Sequence, residues 1–241
     1  MAIDYSIIVP AYNEAEWLPS TLAAIRPAMA QQSLVGELIV CDNNSTDATA
    51  EIAASLGARV VFESHNQISR ARNRGAREAQ GRYLVFIDAD TLISAELLNQ
   101  ALERMHSGNC VGGGVVVAMD RAMKPLERLG QWAWNRLSIT LSVAAGCFVY
   151  CRREAFEAVG GFSEAVYASE ELWLSRQLRR WGKGHGMSFC IIREHAALSS
   201  GRKLEWFGPL QQAGMMLLLL LFPFLVRYRR FCGFWYKRPG G

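Results

Sequence analysis

Two aspartates, Asp88 and Asp90, are the sharpest chemical feature of this 241-residue sequence. They follow the apolar run 83–87, which predicts a buried strand. Two carboxylates at this spacing can chelate one hard divalent cation, magnesium or manganese, and such an ion would neutralise the oxygens of a diphosphate. The alternative for so short a motif is a pair of turn or N-cap aspartates before a helix that begins near Ser94.

Polar residues also follow two other apolar runs. Asp42 follows the run 37–41, and the run 5–9 is followed by Pro10, Ala11, Tyr12, Asn13 and Glu14. Ligands of an open parallel sheet bind at the carboxyl ends of its strands, so these residues are expected to converge at one edge. Asp42 could accept a base N–H or ribose hydroxyls there, or it could form an Asx-turn into the next helix.

The elements that would position these residues alternate along the first half of the chain. Strands are predicted at 5–9, 37–41, 60–62 and 83–87, and helices at 17–30, 47–56, 68–79 and 94–105. The second half is less regular, with strands at 112–117, 146–150 and 187–192 and helices at 123–140, 153–159 and 169–181. This order predicts an α/β fold with a mostly parallel central sheet flanked by helices.

Composition supports a globular, intracellular domain. Apolar residues make up 51% of the chain, enough for a sizeable core. The six cysteines form no CxxC pair, so a zinc site is not expected, and several lie in apolar runs as small hydrophobes. Residues 1–4 are not a basic segment followed by an apolar one, which predicts no signal peptide. A reducing cytosolic setting fits both observations.

The C-terminal residues 201–241 differ in character. They hold seven Lys and Arg against Glu205 alone, so the chain's net charge of +4 leaves −2 for residues 1–200. The charge-free run 207–226 contains Gly and Pro and has basic residues on both sides. We expect this apolar and basic tail to lie in an anionic membrane surface on the cytosolic side, with Trp206 and Tyr236 at headgroup level. The alternatives for the run 207–226 are a helix that spans the membrane and a helix of the globular core. Nucleic acid is not an expected partner of the tail.

Five segments in this order resemble the family 2 glycosyltransferases of the GT-A fold, a Rossmann-like α/β architecture. They are SIIVPAYNEAEWL (6–18), ELIVCDNNSTDAT (37–49), SRARNRGAREAQGRYLVFIDAD (69–90), VYCRREAFEAVGGFSE (149–164) and SEELWLSRQLRRWGK (169–183). The resemblance implies an inverting, metal-dependent transfer from a nucleoside diphosphate sugar, with a uridine donor favoured, to a sugar, lipid-linked or other small acceptor. It divides residues 1–200 into a nucleotide-sugar-binding half (1–105) and an acceptor half (106–200). The composition of residues 201–241 predicts a membrane-associating tail after them.

The resemblance also implies roles for individual residues. The segment Pro10–Glu14 would line the nucleotide pocket, Asp42 would contact the base, and Arg72 and Asn73 would lie beside the donor. In the motif 88–90, Ala89 would line the donor site, while Asp88 and Asp90 would bind the metal and the diphosphate. The stretch 199–202 is similar to one found near the donor phosphates in some members.

The general base is implied less directly. The family usually carries Glu-Asp before its late helix, and here the pair is Glu170-Glu171. By position Glu171 replaces the usual Asp, with Glu170 as the second candidate. The alternative is that both are N-terminal helix acids favoured by the helix dipole. His195 is the candidate for a third metal ligand, against the interpretation of a lone surface histidine.

Two other functions would fit parts of this pattern. A nucleotidyltransferase also uses an α/β sheet and a metal-bound diphosphate, but it typically opens with a Gly-rich loop and a basic residue after the first strand, where this chain has Pro10–Glu14. A non-catalytic binder of sugar nucleotides has no need of Asp88, Asp90 and Glu171 together.

Overall fold

The computed structural model describes residues 2–202, 206, 214, 218 and 221–236. Within this part of the chain one sheet contains eight strands. They are β1 (Tyr5–Ala11), β2 (Gly36–Asp42), β3 (Arg59–Phe62), β4 (Tyr83–Ile87), β5 (Thr91–Leu92), β6 (Cys110–Met119), β7 (Phe148–Arg152) and β8 (Ser188–Ser199). Their spatial order is β3-β2-β1-β4-β7-β6-β8-β5, so the sheet continues across both predicted halves.

Seven helices of at least six residues flank this sheet in residues 2–202. They are α1 (Leu18–Ala30), α2 (Thr49–Ser55), α3 (Ile68–Glu78), α4 (Ala95–His106), α5 (Pro125–Leu141), α6 (Arg153–Ala158) and α7 (Glu170–Gly184). Local chemistry sets some of their ends. At the start of α4, for example, the Ser94 hydroxyl accepts a hydrogen bond from the Leu97 N–H at 3.2 Å.

Strand directions bring the predicted functional residues to one edge. β3, β2, β1 and β4 are parallel to one another, and β6 is parallel to β8. β7 is antiparallel to both β4 and β6, and β5 is antiparallel to β8. Six strands therefore point the same way, which confirms the mostly parallel sheet. The carboxyl ends of β1, β2, β4 and β8 share an edge with the beginning of β7.

Alternating side chains of the strands fill the space on both faces. Ile7 and Val9 of β1 belong to the cluster beneath α1 and α4, whereas Ile8 belongs to the cluster beneath α3 and α7. All three are fully buried. Each such side chain contributes about 1.5–3 kcal/mol by leaving water, so the strands are fixed from both sides.

The second half of the sheet differs from its sequence-based prediction. β7 begins at Phe148 rather than 146, and β8 continues to Ser199 rather than ending at 192. The polar residues 193–195 interrupt the apolar pattern of β8, and its register against β6 shifts in the same region. β5, with two residues, is too short to give any periodic signal.

The C-terminal segment 223–236 returns to the globular domain. Its elements are two 3₁₀ turns (Pro223–Arg227 and Arg229–Phe231) and a helical turn (Gly233–Tyr236). The Tyr167 N–H donates to the Val226 carbonyl at 2.6 Å. In the described part of the chain no helix combines the length and the hydropathy needed to cross a membrane. Most of the predicted membrane-associating run 207–226 lies outside the described residues.

Candidate active site

A cleft opens at the edge where the carboxyl ends of the strands meet. The loops after β1 and β4 and the segment after β8 supply most of its wall. It is lined by Pro10, Ala11, Tyr12, Glu14, Asn43, Asn66, Ile68, Asp88, Ala89, Asp90, Arg202, Trp206 and Tyr236. Seven of the residues predicted from sequence are therefore brought together here: Pro10, Ala11, Tyr12, Glu14, Asp88, Ala89 and Asp90.

Arg72 of α3 joins two acidic segments below this cleft. Its side chain is 2% exposed, and its Nη1 donates to Glu170 Oε1 at 2.7 Å. Its Nη2 donates to Asp88 Oδ1 at 2.7 Å and to the Gly146 carbonyl at 2.8 Å. Burial opposes the positive charge, but the Asp88 and Glu170 carboxylates outweigh it and raise the Arg72 pKa. Arg72 is thus a permanent cation that fixes Asp88 relative to the start of α7.

Glu171, the next residue of α7, is placed differently from Glu170. Glu170 is buried and bound to Arg72, whereas Glu171 is partly exposed and forms no salt bridge with a described residue. Loss of water contact, followed by the negative charge of Glu170, raises the pKa of Glu171 to about 8. The nearby Arg72 opposes this shift. Of the two candidate bases, Glu171 is the one whose carboxyl is available to take a proton.

Arg202 forms a second set of ion pairs on the opposite wall of the cleft. Its Nη1 and Nη2 donate to the two carboxylate oxygens of Glu14 at 2.8 and 2.6 Å. Nη2 also lies 2.9 Å from Asp90 Oδ2. The guanidinium lies 5.3 Å from the ring centroids of both Trp17 and Trp206. This bidentate, aromatic-flanked arrangement suits arginine, since lysine has no planar fork.

The backbone around Arg202 explains how it reaches the cleft. β5 pairs with the end of β8, and the Ser200 N–H donates to the Asp90 carbonyl at 3.1 Å. The Gly201 N–H donates to Asp120 Oδ1 at 2.9 Å. These bonds hold the chain that follows β8 against the loop that contains Asp88 and Asp90. The stretch 199–202 therefore lies beside the acidic motif, and its place near the donor phosphates stays a prediction.

The two aspartates fit a divalent metal shared with a bound phosphate. Asp88 and Asp90 line one cleft, and each gives one carboxylate oxygen to an arginine. Magnesium sites of this kind use one or two carboxylates together with substrate phosphates and water. Among the described residues no three His, Cys, Asp or Glu side chains are grouped closely enough to hold a metal by themselves. The donor set therefore suits an ion that binds with its nucleotide.

His195 is not brought to this pair of aspartates. It lies in the irregular part of β8, between the register positions Ile192 and Ala197. It lies near Glu96, at the beginning of α4, whose pKa is lowered chiefly by hydrogen bonds from its own backbone N–H and from the Ser94 hydroxyl, and only slightly by His195. His195 is not among the residues that line the cleft, which the chain after β8 reaches at Arg202, so its role as a third metal ligand stays a prediction.

The loops after β1 and β2 are bound to each other. Asn13, at a φ of 52°, accepts the Thr46 N–H at 2.7 Å and donates to the Thr46 hydroxyl at 3.2 Å. Asp42 is buried, and its Oδ1 accepts the Ser45 N–H at 3.4 Å. Asp42 stands at the end of β2 without lining the cleft; its neighbour Asn43 lines it instead. The turn interpretation of Asp42 is therefore the one that the contacts support directly.

Asn73 lies away from the cleft, although sequence placed it beside the donor with Arg72. Its Nδ2 donates to the Phe162 carbonyl at 2.9 Å, and its Oδ1 accepts the Phe162 N–H at 3.0 Å. The Asn73 amide thus donates to and accepts from the backbone of one residue, as a neighbouring strand would, and it connects α3 to the turn before α7. Adjacent positions of a helix face different directions, so Arg72 and Asn73 do not serve one site.

The ordered motifs, the sheet and the cleft agree with one family. The model of that family, Glycosyl transferase family 2, matches residues 6–160. This chain belongs to glycosyl transferase family 2. The glycosyltransferase AglE of Haloferax volcanii is 26% identical over 213 residues, covering 83% of this chain and 69% of that protein. The dolichol-phosphate mannosyltransferase of Saccharomyces cerevisiae is 35% identical over 116 residues, covering 44% of this chain and 42% of the yeast protein.

Solved structures show that this glycosyltransferase has the GT-A fold. The mannosyltransferase PcManGT from Pyrobaculum calidifontis superposes with a TM-score of 0.64 at 21% identity, over 83% of this chain and 57% of that one. Glucosyl-3-phosphoglycerate synthase from Mycobacterium tuberculosis gives 0.66 at 22% identity, over 93% and 78%. At such identities the likeness shows a shared fold, and the GT-A prediction is confirmed.

Sequence reasoning missed several residues around the cleft of this glycosyltransferase. Trp17 and Trp206 flank Arg202, and Trp206 lines the cleft; its predicted place at the lipid headgroups stays a prediction. Tyr236 also lines the cleft, and its hydroxyl accepts the Ile68 N–H at 3.3 Å. The Gly146 carbonyl binds Arg72. No local pattern identifies these residues, because each acts through a partner that is distant in sequence.

Proposed function

We propose that this family 2 glycosyltransferase transfers a sugar from a nucleoside diphosphate sugar to an acceptor hydroxyl, with inversion at the anomeric carbon. One observation carries the proposal: Arg72 binds Asp88 through one nitrogen and Glu170 through the other, each at 2.7 Å. The carboxylate expected at the diphosphate and the helix start expected at the acceptor are thereby held around a single guanidinium.

The donor would bind along the cleft. Pro10, Ala11 and Tyr12 would border the nucleotide, while Asp42 would fix the β2 loop and contact the base. Asp88 and Asp90 would hold the divalent metal, magnesium or manganese, whose bound form supplies positive charge against the leaving diphosphate. Arg202 already lies 2.9 Å from Asp90 and has donors suited to phosphate oxygens. A uridine donor is favoured by the family resemblance.

The acceptor side of the reaction would use Glu171. Its carboxylate takes the proton from the acceptor hydroxyl as that oxygen forms its bond to the anomeric carbon, and the bond to the diphosphate breaks on the opposite face. Proton removal by a positioned carboxylate typically contributes about 10²–10⁴-fold in rate. Glu170 stays bound to Arg72 and acts as a positioning residue, because its buried ion pair fixes the beginning of α7.

The remaining organisation follows the sequence-based expectation. Residues 1–105 would bind the nucleotide sugar, residues 106–200 the acceptor, and residues 201–241 would associate with an anionic membrane on the cytosolic side. The segment 223–236 does contact the globular part through Val226 and Tyr236. The tail would therefore hold both a membrane contact and part of the donor cleft. The acceptor would be a sugar, a lipid-linked molecule or another small molecule.

A donor panel tests the proposal. The protein is incubated with UDP- and GDP-sugars, Mn²⁺ or Mg²⁺ and a mixed set of acceptors, and products are identified by mass spectrometry. The panel begins with these donors because PcManGT is in complex with GDP-Man and Mn²⁺, and the Mycobacterium tuberculosis synthase with UDP and Mn²⁺. We expect one preferred donor and a product of inverted anomeric configuration by NMR. Retention of configuration, or nucleotidyl transfer to a sugar phosphate, would refute it.

A further inference from the structure

Helix α5 exposes five large apolar side chains. Two others, Trp134 and Ile139, pack against the hydrophobic core. The outward residues are between 47% and 64% exposed. We call them the α5 face: Leu126, Leu129, Trp132, Leu137 and Leu141. The one buried residue of the helix is Ser138. Contiguous apolar surface of this kind marks an interaction site, because an ordinary surface helix buries its apolar stripe.

Polar contacts on the inner side fix this orientation. The Asn135 side chain pairs with both backbone groups of Val117, at 3.0 and 2.9 Å. The Ser138 hydroxyl donates to the Val143 carbonyl at 2.7 Å, and Glu127 pairs with Arg121 at 3.0 Å. Rotating the helix to bury its leucines would break all of these bonds. These hydrogen bonds therefore fix the α5 face toward solvent.

Helix α7 extends this surface and adds to its positive charge. The Arg179 side chain donates to the Leu141 carbonyl, at the end of α5, and α7 presents Trp173 at 46% exposure. Five exposed arginines lie on the two helices, and none forms a salt bridge with a described carboxylate. They are Arg128, Arg136, Arg176, Arg179 and Arg180.

We propose that the α5 face, together with the exposed side of α7, docks on an anionic lipid bilayer. Leucine and tryptophan mixed with arginines that form no salt bridge to a described carboxylate match an interfacial helix, whose apolar side chains enter the acyl boundary while its cations meet lipid phosphates. A second copy of this face would bring arginines against arginines, and contact between like charges is unfavourable, whereas anionic headgroups neutralise them. These residues are distinct in sequence from the tail 201–241, and the surface would give the protein a second membrane contact.

Docking of this surface also indicates the class of acceptor, an inference that rests on the proposed function. α7 begins with Glu170 and Glu171 and exposes Trp173 within one turn of them. A bilayer on this side would face the helix that carries the candidate base. The acceptor of Glu171 would then be the hydroxyl of a lipid-linked molecule presented from the membrane.

Flotation of the full chain with vesicles tests the docking. Vesicles of phosphatidylcholine with phosphatidylglycerol are compared with phosphatidylcholine alone at low salt. Removing two cations by Arg128→Gln with Arg136→Gln should lower partitioning onto anionic vesicles by about 30-fold, and Leu129→Ser with Trp132→Ser by about tenfold or more. Arg26→Gln on α1 and Phe62→Ser on β3 are controls with matched chemistry at exposed positions, and both should partition like the parent.

Hydrogen exchange separates this surface from the tail. Anionic vesicles should slow exchange in peptides covering 125–141. Equal flotation of all variants, or unchanged exchange in these peptides, would overturn the proposal. A parent dimer that becomes monomeric in the Leu129→Ser, Trp132→Ser variant without lipid would assign the face to a second copy and would also overturn it. Failure of transfer to every acceptor would refute the proposed function while leaving the flotation result intact.

Discussion

Arg202 and Glu14 lie 188 positions apart in the sequence, yet they form a bidentate ion pair with contacts of 2.8 and 2.6 Å. Glu14 belongs to the loop after the first strand, and Arg202 follows the last. The pair is buried and also touches Asp90 through Arg202. The ends of the globular domain are thereby joined at the cleft itself, so stability and donor binding should depend on the same side chain.

The first prediction concerns this pair. Arg202→Ala removes both hydrogen bonds from the buried Glu14 carboxylate, and loss of one partner of a buried ion pair costs about 3–5 kcal/mol. The unfolding free energy should fall accordingly in denaturant titrations, and the donor KM should rise. Adding Glu14→Gln should recover part of the loss, because the buried negative charge is then absent. A double variant as unstable as the sum of the single changes would contradict the coupling.

The second prediction concerns metal dependence. Asp90→Asn should lower turnover by about two orders of magnitude or more, since electrostatic stabilisation of the leaving diphosphate is weakened. Excess chelator should abolish activity, and Mn²⁺ or Mg²⁺ should restore it in the parent. Asp4→Asn, at the opposite end of β1, is the matched control and should retain parent turnover. Full activity in chelator would refute the role of the aspartates.

The third prediction separates the two glutamates. Glu171→Gln should reduce transfer by about 10²–10⁴-fold, the usual contribution of a general base, while donor affinity measured by calorimetry stays near that of the parent. Glu170→Gln should instead lower the unfolding free energy, because Arg72 loses one of its buried partners. Parent-like transfer by Glu171→Gln would show that the base is another group.

The fourth prediction is a pH dependence set by Glu171. Its pKa is raised to about 8, chiefly by burial and then by Glu170. A base acts in its deprotonated form, so kcat/KM should rise with pH and level off above about 8. Glu170→Gln removes a like charge and should move this ascending limb to lower pH. If the ascending part of the kcat/KM profile does not move in Glu170→Gln, the titrating group is not Glu171. Donor binding measured over the same pH range is the control.

The fifth prediction concerns Asp42. Asp42→Ala should raise the donor dissociation constant more than it lowers turnover, since a buried acceptor paired with a base N–H contributes about 0.5–3 kcal/mol. Asp42→Asn keeps an oxygen for the Ser45 N–H but loses the charge. Parent-like UDP affinity of Asp42→Ala in calorimetry would show that Asp42 does not contact the base. A loss in Asp42→Ala that is absent in Asp42→Asn would show that the site needs an oxygen acceptor and not the charge.

Much of this fold was predictable from sequence because its signals are local. Apolar runs that end at Pro10, Asp42 and Asp88 predicted the parallel strands, and the helical spacing of apolar residues between these runs predicted the helices. Since parallel strands place their carboxyl ends together, the convergence of these residues on one cleft followed from the order of elements alone. The acidic motif and the family membership needed no tertiary information.

The tertiary structure alone decided which charges meet. No local pattern shows which of Glu170 and Glu171, or which of Arg72 and Asn73, faces the cleft, because neighbours on a helix point in different directions. The sheet order brings Arg72 to Asp88 and Glu170 and leaves Glu171 without a salt bridge to a described residue. It also brings Arg202 to Asp90 and carries His195 past the site. Ion pairs form between side chains that packing places within a few ångströms, and that distance is a property of the folded chain.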